Sequence, residues 1–321
     1  VGECHRIDDS LLAGVSGGGL DRSIRIALAA VRQVTGGRRL PADTRLFCGT
    51  SKGPVTTLLR ASDAVRRGEP LDPLTARQVA LGVGAMGTLV AEALGLEAGS
   101  TSVAACASGL HAVHRAAEAL WRGECSRALV VAADASLHDL FQASFRRLGV
   151  LSPAGTCTPF GESGEGFFIT EAGAALLLEA APSGHPPLAH LSGSWIGADG
   201  TGLVAIDPQT TSLRRGLAAC AAAGGVSFVH AHATGTGHDR YELEAIRAAV
   251  GGGNVPTFSS KGHLGHSLGA AGLVSLVLSA ISHARGETFL GYPVLPRDGA
   301  ASLTVAQGFG GAIGVVRLQG R

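Results

Sequence analysis

Residues 101–120 read TSVAACASGLHAVHRAAEAL, and this stretch decides how the chain is laid out. Apolar residues recur with a helical period from just after Cys106 until Gly123 ends the pattern. SRALVVAADA follows, a short apolar run of the length expected for a buried strand. Cys106 thus stands at a helix start, and its small neighbours Ala104, Ala105, Ala107 and Ser108 leave room for a substrate to reach sulfur. A thiol in the first turn of a helix lies beside unsatisfied N–H groups and the positive end of the helix dipole. Both favour thiolate and predict a pKa below the ~8.5 of a free cysteine. The remaining cysteines in the body of the chain, Cys48, Cys125, Cys157 and Cys220, read as ordinary small apolar residues.

Outward from that stretch, strands and helices alternate. LDRSIRIALAAVRQVTGG carries a capping Asp21, an apolar helical stripe and a stop at Gly36 and Gly37. TRLFCGTS (44–51) is a short buried strand, and ARQVALGVGAMGTLVAEALGL a helix of small residues. GEGFFITEAGAALLLEA (164–180) reads as two strands joined by a turn around Glu171 to Gly173. APSGHPPLAH (181–190) is the expected boundary, dividing residues 1–185 from 186–321. Beyond it the order recurs. LSGSWIGA, VSFVHAHA and VPTFSS are strands, TSLRRGLAACAAAG and DRYELEAIRAAVG are helices, and a small-residue helix runs from Ser267 to about His283. SLTVAQGFGGAIGVVRL closes the chain as two strands about a glycine turn. Such alternation with short connections predicts α/β layers, and the repeated order suggests two duplicated halves.

Composition narrows the function. The chain of 321 residues is 45% apolar but only 4% aromatic, so its core is aliphatic and alanine-packed. Its formal net charge is +1, which gives no reason to expect nucleic acid or a membrane surface as a partner. No uninterrupted apolar run approaches the ~20 residues of a membrane span, and the start, VGECHRIDD, is too charged for a signal peptide. The six cysteines make no CxxC pair, so neither a zinc site nor a disulfide framework is expected. A reducing cytoplasm is the expected location.

Three further stretches carry chemistry: VHAHATGTGHD with His230, His232 and His238, SSKGHLGHSLGAAG with Lys261, His263 and His266, and QGFGG with Phe309. His232 ends an apolar strand, where α/β folds place site residues. His266 stands at a helix start, where the dipole keeps its ring neutral and able to donate a hydrogen bond to a developing oxyanion. Lys261 is placed to hold that ring through a carboxylate or water. Each also has a plain structural reading, as a satisfied histidine or a solvated lysine.

Taken in order, ACASG, HATGT, KGHLGH with SLGAAG, and GFGG resemble the β-ketoacyl-acyl-carrier-protein synthases, condensing enzymes with the thiolase fold. CTPFGESGEGFFITEAGAALLLE is similar to the family's proline-phenylalanine segment and the glycine-rich hairpin after it, and SFRRLGVLSP resembles the loop that lines the active site. The resemblance runs from about residue 20 to the C-terminus. It implies an α/β chain with two duplicated halves, mixed five-stranded sheets and helices in α-β-α-β-α layers. Cys106 would take an acyl chain as a thioester, and His232 and His266 would stabilise the enolate formed when a malonyl thioester loses CO2. Lys261 would orient the surroundings of the second histidine. The N–H groups of Cys106 and Phe309 would form the oxyanion hole, with the Phe309 ring as a gate. Phe145, Thr234, Thr236 and Gly310 would line the substrate pocket. Neither metal nor redox cofactor is implied. The implied partners are acyl- and malonyl-loaded carrier protein and a second ketosynthase-like subunit, identical or related.

The chain departs from the family in places. No counterpart of the family's first strand precedes Leu20, Ala312 and Ile313 replace the usual Thr-Asn, and Ser275 stands where glutamate is expected. The loop from His232 to Asp239 is one residue short, with glycine for proline. Three readings follow: a condensing ketosynthase, an acyltransferase that does not decarboxylate, and a silent partner subunit. Silent relatives typically lack the nucleophilic cysteine, which is present here. Three arginine pairs, Arg66 with Arg67, Arg146 with Arg147, and Arg214 with Arg215, are candidates for meeting an acidic carrier. The middle pair is expected to be the least free.

Overall fold

A computed structural model describes residues 6–15, 18–180, 186–200, 202, 207–252, 254–292, 294 and 300–320. The expected boundary adjoins residues 181–185, which lie outside the described residues. The first half runs α1 (Arg22–Thr35), β1 (Thr44–Gly49), α2 (Val55–Arg66), α3 (Pro73–Leu81), α4 (Ala85–Leu94) and β2 (Glu97–Ser102). It continues through α5 (Ser108–Trp121), β3 (Arg127–Asp134), α6 (Asp139–Arg147) and β4 (Ala172–Glu179). The second runs β5 (His190–Ala198), α7 (Thr211–Ala221), β6 (Val226–His230), α8 (Asp239–Ala249), β7 (Thr257–Phe258) and α9 (Lys261–Leu264). It ends with α10 (Ala271–Arg285), β8 (Ala301–Gln307) and β9 (Ala312–Gln319).

The two sheets repeat one plan. The first has the order β2-β1-β3-β4 and the second β5-β9-β8-β6-β7. In the first, β1 pairs parallel with β2 and β3, and β3 pairs antiparallel with β4. In the second, β6 pairs parallel with β7 and β8, and β8 antiparallel with β9. The halves therefore match strand for strand, and only β5, antiparallel to β9, lacks a counterpart. Five strands were expected in each sheet. The first has four among the described residues because no strand precedes β1, which leaves β4 an edge.

Layers follow from the sidedness of the strands. Ile24, Ala27 and Val31 of α1 and Met86 and Val90 of α4 cover the outer face of the first sheet. Leu213 and Leu217 of α7 and Ile246 of α8 cover the outer face of the second. Between the sheets lie α5 and α10, whose Leu110, Val113, Leu273 and Leu276 are fully buried. Burying each such side chain contributes about 1.5–3 kcal/mol. The two helices touch closely: a Cβ on Gly109 would lie 2.8 Å from the backbone nitrogen of Leu273. Five layers, α-β-α-β-α, are thus present. Two helical stretches, Pro73–Leu94 and Leu268–Arg285, reach membrane-spanning length and hydropathy, although neither is an uninterrupted apolar run. The first breaks at Gly82 (φ 54°), and the second is largely core helix between the sheets.

Two elements differ from the sequence reading. The small-residue helix at 76–96 is two helices with a 3-10 turn at Gly82–Gly84 between them. The hairpin expected at 164–180 is a single strand beginning at Ala172, because residues 166–170 bond to loops instead of a neighbouring strand. The N–H of Gly166 donates to Gly235, that of Phe167 to Val150, and that of Thr170 to His266. This segment is the inner wall of the site.

Candidate active site

Cys106 lies between β2 and α5 in a turn held by Ser108, whose Oγ accepts from the Ala104 N–H at 2.9 Å and donates to the Ala105 carbonyl at 2.6 Å. Ala105 adopts a left-handed backbone (φ 46°), a strained state for a non-glycine residue that re-aims the next side chain. Gly308 presses on this turn: a Cβ there would sit 2.6 Å from the Ala104 carbonyl oxygen and 2.9 Å from the Cys106 nitrogen. No N–H of Cys106 or Phe309 donates a hydrogen bond among the described residues. The helix begins at Ser108, with Ala107 as its cap, so the thiol stands just outside the first turn. Burial pushes the Cys106 thiol up to about 11, and the positive charges of Lys52 and Lys261 pull against that shift. The expected lowering of its pKa is therefore corrected, since the dry setting outweighs the nearby charges.

His232 follows β6 at the C-terminal end of the strand. Its N–H donates to Glu242 at 2.7 Å, the Ala233 N–H donates to the other Glu242 oxygen at 2.8 Å, and Lys261 Nζ donates to the His232 carbonyl. His266 is fixed by its backbone, donating to the Phe168 carbonyl at 2.8 Å and accepting from the Thr170 N–H at 3.1 Å. The two imidazoles meet edge to face with centroids 5.5 Å apart, and the Phe167 ring packs 4.7 Å from His266. Burial, and then the charge of Lys261, holds both histidines neutral, with pKa values well below the usual 6.5. For His266 the neutral ring was expected, but burial causes it ahead of any helix dipole.

Lys261 is 3% exposed and grips the His232 backbone, while its charge acts on His266 as well. Burial lowers the pKa of Lys261 and raises that of Glu242 to about 7. Asp239 completes the support, accepting from the N–H groups of Thr234 at 3.0 Å and Gly235 at 2.8 Å. Glu242 and Asp239 went unread because α8 looked like a plain amphipathic helix. Two carboxylates three residues apart in its first turn were the available signal.

These groups bound one cleft, partly open to solvent. Cys106, His232, His266, Phe309, Phe145, Thr234 and Thr236 all line it. Gly310 does not. It is an exposed turn residue (φ 81°) between β8 and β9, which corrects its assignment to the pocket. Phe309 packs on Phe145 with centroids 5.8 Å apart. Phe167 and Gln307 also line the cleft, and Lys52 stands behind Phe145; none of these was singled out from sequence. All three arginine pairs are exposed. Arg66 and Arg67 are engaged by Asp63 and Glu69, whereas the pairs at 146–147 and 214–215 form no ion pair among the described residues. The expectation that Arg146 and Arg147 are the least free is thus corrected, because the last turn of α6 faces outward.

Comparison with known proteins bears on this arrangement. Models described as beta-ketoacyl synthase, N-terminal domain, and beta-ketoacyl synthase, C-terminal domain, match residues 18–183 and 188–287. The 3-oxoacyl-[acyl-carrier-protein] synthase 2 of Mycobacterium tuberculosis is 33% identical over 257 residues, 73% of this chain and 60% of that protein. The chain thus spans about three-fifths of the length of these curated relatives. Among solved structures, the ishigamide ketosynthase/chain length factor has a TM-score of 0.77 at 24% identity, covering 94% of this chain and 83% of that one. AntDE:AntF, a type II PKS acyl-carrier protein in complex with its ketosynthase bound to the hexaketide, has a TM-score of 0.78 at 20% identity, covering 94% and 85%. The five layers are those of the thiolase fold, and the chain belongs to the β-ketoacyl synthase family.

Proposed function

We propose that the protein forms carbon–carbon bonds by decarboxylative Claisen condensation, in fatty-acid or polyketide synthesis. The carrying observation is that one thiol and two neutral imidazoles bound the same cleft. Cys106 sulfur attacks the thioester carbonyl of an acyl chain on a carrier protein, and the carrier thiol leaves with the proton Cys106 gives up. A malonyl carrier then loses CO2. His232 and His266 donate hydrogen bonds to the enolate oxygen, so its charge is met by dipoles already in place. The enolate carbon attacks the Cys106 thioester, the β-ketoacyl chain departs on the carrier, and the Cys106 sulfur is released.

The remaining residues support that chemistry. The unclaimed N–H groups of Cys106 and Phe309 suit the oxyanion of the tetrahedral intermediate, and the Phe309 ring against Phe145 serves as the gate. Lys261 and Glu242 act as positioning residues on the His232 backbone. The Thr234 and Thr236 hydroxyls, 3.2 Å apart, suit the polar arm of a carrier-bound malonyl group. No cofactor is invoked. The carrier reading draws on the solved carrier–ketosynthase complex named above. The reading of an identical or related partner subunit draws on the solved ketosynthase/chain length factor named above. A cytoplasmic location suits the free thiols of Cys48, Cys106, Cys125, Cys157 and Cys220.

Intact-protein mass spectrometry after incubation with acyl-carrier substrate tests this. The native chain should gain one acyl mass and Cys106→Ala none. His232→Ala and His266→Ala should still load, but release CO2 from malonyl carrier ~10²–10³-fold more slowly. Loading at another residue, or CO2 release at the native rate in both histidine variants, rejects the reading. Loading and transfer with no CO2 at all from the native chain selects the non-decarboxylating acyltransferase.

A further inference from the structure

Beside Phe145, an aromatic wall of the cleft, stands a cation that the chemistry above does not use. Lys52 follows β1 in the stretch CGTSKGP (48–54) and is partly buried. Its Nζ lies 5.2 Å from the centre of the Phe141 ring and 5.5 Å from that of Phe145, the residue that lines the cleft and packs on Phe309. Among the described residues no carboxylate forms an ion pair with Lys52. Its hydrogen-bond contact is Ser51 Oγ at 3.5 Å, and that hydroxyl already donates to Asp134. The charge nonetheless acts into the site. Of the charged groups acting on the Cys106 thiol, Lys52 is the strongest, and it also disfavours protonation of His266.

An apolar chain end needs no cation beside it. Drawing an ammonium partly out of water costs free energy, and two aromatic faces offset only about 0.5–2 kcal/mol of that cost. A negative charge arriving with the substrate would complete the set. Phe145 lines the cleft, and the Lys52 charge stands beside that ring.

We propose that Lys52 is a specificity-determining residue that selects an acyl group ending in a carboxylate, a half-thioester of a short dicarboxylic acid, for loading on Cys106. The inference rests on the acyl-loading reading given above. In the loading step the Cys106 sulfur forms the new thioester bond, the donor C–S bond breaks, and the donor thiol leaves with the proton from Cys106. The distal carboxylate is unchanged and pairs with the Lys52 ammonium.

Two matched probe pairs test it on the full chain. The first pair is the N-acetylcysteamine thioester of hemiglutarate and its methyl ester, read by acyl mass on Cys106. The second is N-iodoacetyl-4-aminobutanoate and its methyl ester, read by alkylation of Cys106, which needs no acyl transfer. In both pairs the native chain should favour the carboxylate by about tenfold, the effect expected of one partly shielded charge pair. Lys52→Met should collapse that ratio to within twofold of unity, and Lys52→Arg should restore it. A native ratio near one, or a ratio that survives Lys52→Met, overturns the inference. If neither thioester loads while both alkylators react, the acyl-loading reading fails, and the alkylation ratio still decides whether Lys52 selects charge.

Discussion

Burial and charge pull the Cys106 thiol in opposite directions, and its pKa near 11 records burial as the larger. At that value only a small fraction is thiolate at neutral pH, so alkylation should track deprotonation. The rate of iodoacetamide labelling at Cys106 should climb about tenfold per pH unit from pH 7 to 9 without a plateau. Cys125, only partly buried, should label ahead of it at pH 7. Peptide mapping across pH checks both, and a plateau near neutrality would mean that the helix start dominates after all. At this scale much of the site was legible. Cys106, His232 and His266 stood in ordered motifs with small neighbours. Glu242 and Lys52 were not legible, because a charge inside an otherwise regular pattern gives no sign that the fold will bury it. Gly310 was misplaced for the converse reason: a positive-φ turn sends the chain away from the site just after Phe309 enters it.

Among the elements, α6 joins the cleft to the surface. Its Phe145 is buried against Phe309 and Phe167, while Arg146 and Arg147 in its last turn point to solvent. A carrier that binds there would deliver its arm along the same helix. Exposed charges change association and salt dependence more than chemistry. Arg146→Glu with Arg147→Glu should therefore raise KM for carrier-bound acyl substrate about tenfold at low salt, with kcat and the use of small synthetic thioesters spared. The same reversal at Arg66 and Arg67, already engaged by Asp63 and Glu69, should have little effect. Steady-state kinetics at two salt concentrations separates the cases. The elements themselves were mostly readable, since caps such as Asp21 and the left-handed Gly36 mark their ends in sequence. Residues 164–170 were not, because a short apolar run such as Phe167 to Ile169 looks like a strand whether its backbone bonds to a strand or to loops.

For the molecule as a whole, the buried histidines set a pH limit. Burial lowers His230 to about 3 and His283 to about 4, and holds His232 and His266 well below 6.5. Unfolded, each titrates near 6.5. Below that pH the unfolded chain takes up protons the folded one refuses, so stability is complete above about 6.5 and is lost as pH falls toward the folded values. Each histidine whose ring refuses the proton therefore weakens the fold as pH falls from 6.5 to 5. Glu242, raised to about 7, acts oppositely between its unfolded 4.5 and that value, one group against four. Tm should fall by at least about 5 °C from pH 7 to pH 5 in thermal denaturation. A flat profile would mean that the rings protonate without unfolding.

The matching strand orders have a consequence for the origin of the site. If β2 corresponds to β7 and β3 to β8, then α5 and α10 are copies of one ancestral helix, each leaving its sheet at the equivalent place. Cys106 precedes the first copy and His266 the second, and in neither does the residue before the helix cap it with a side chain. In both, the helix starts without a side-chain cap, and the residue ahead of it lines the same cleft. Duplication alone would have brought one residue ahead of each helix to the same cleft. The present chain puts sulfur ahead of one copy and imidazole ahead of the other.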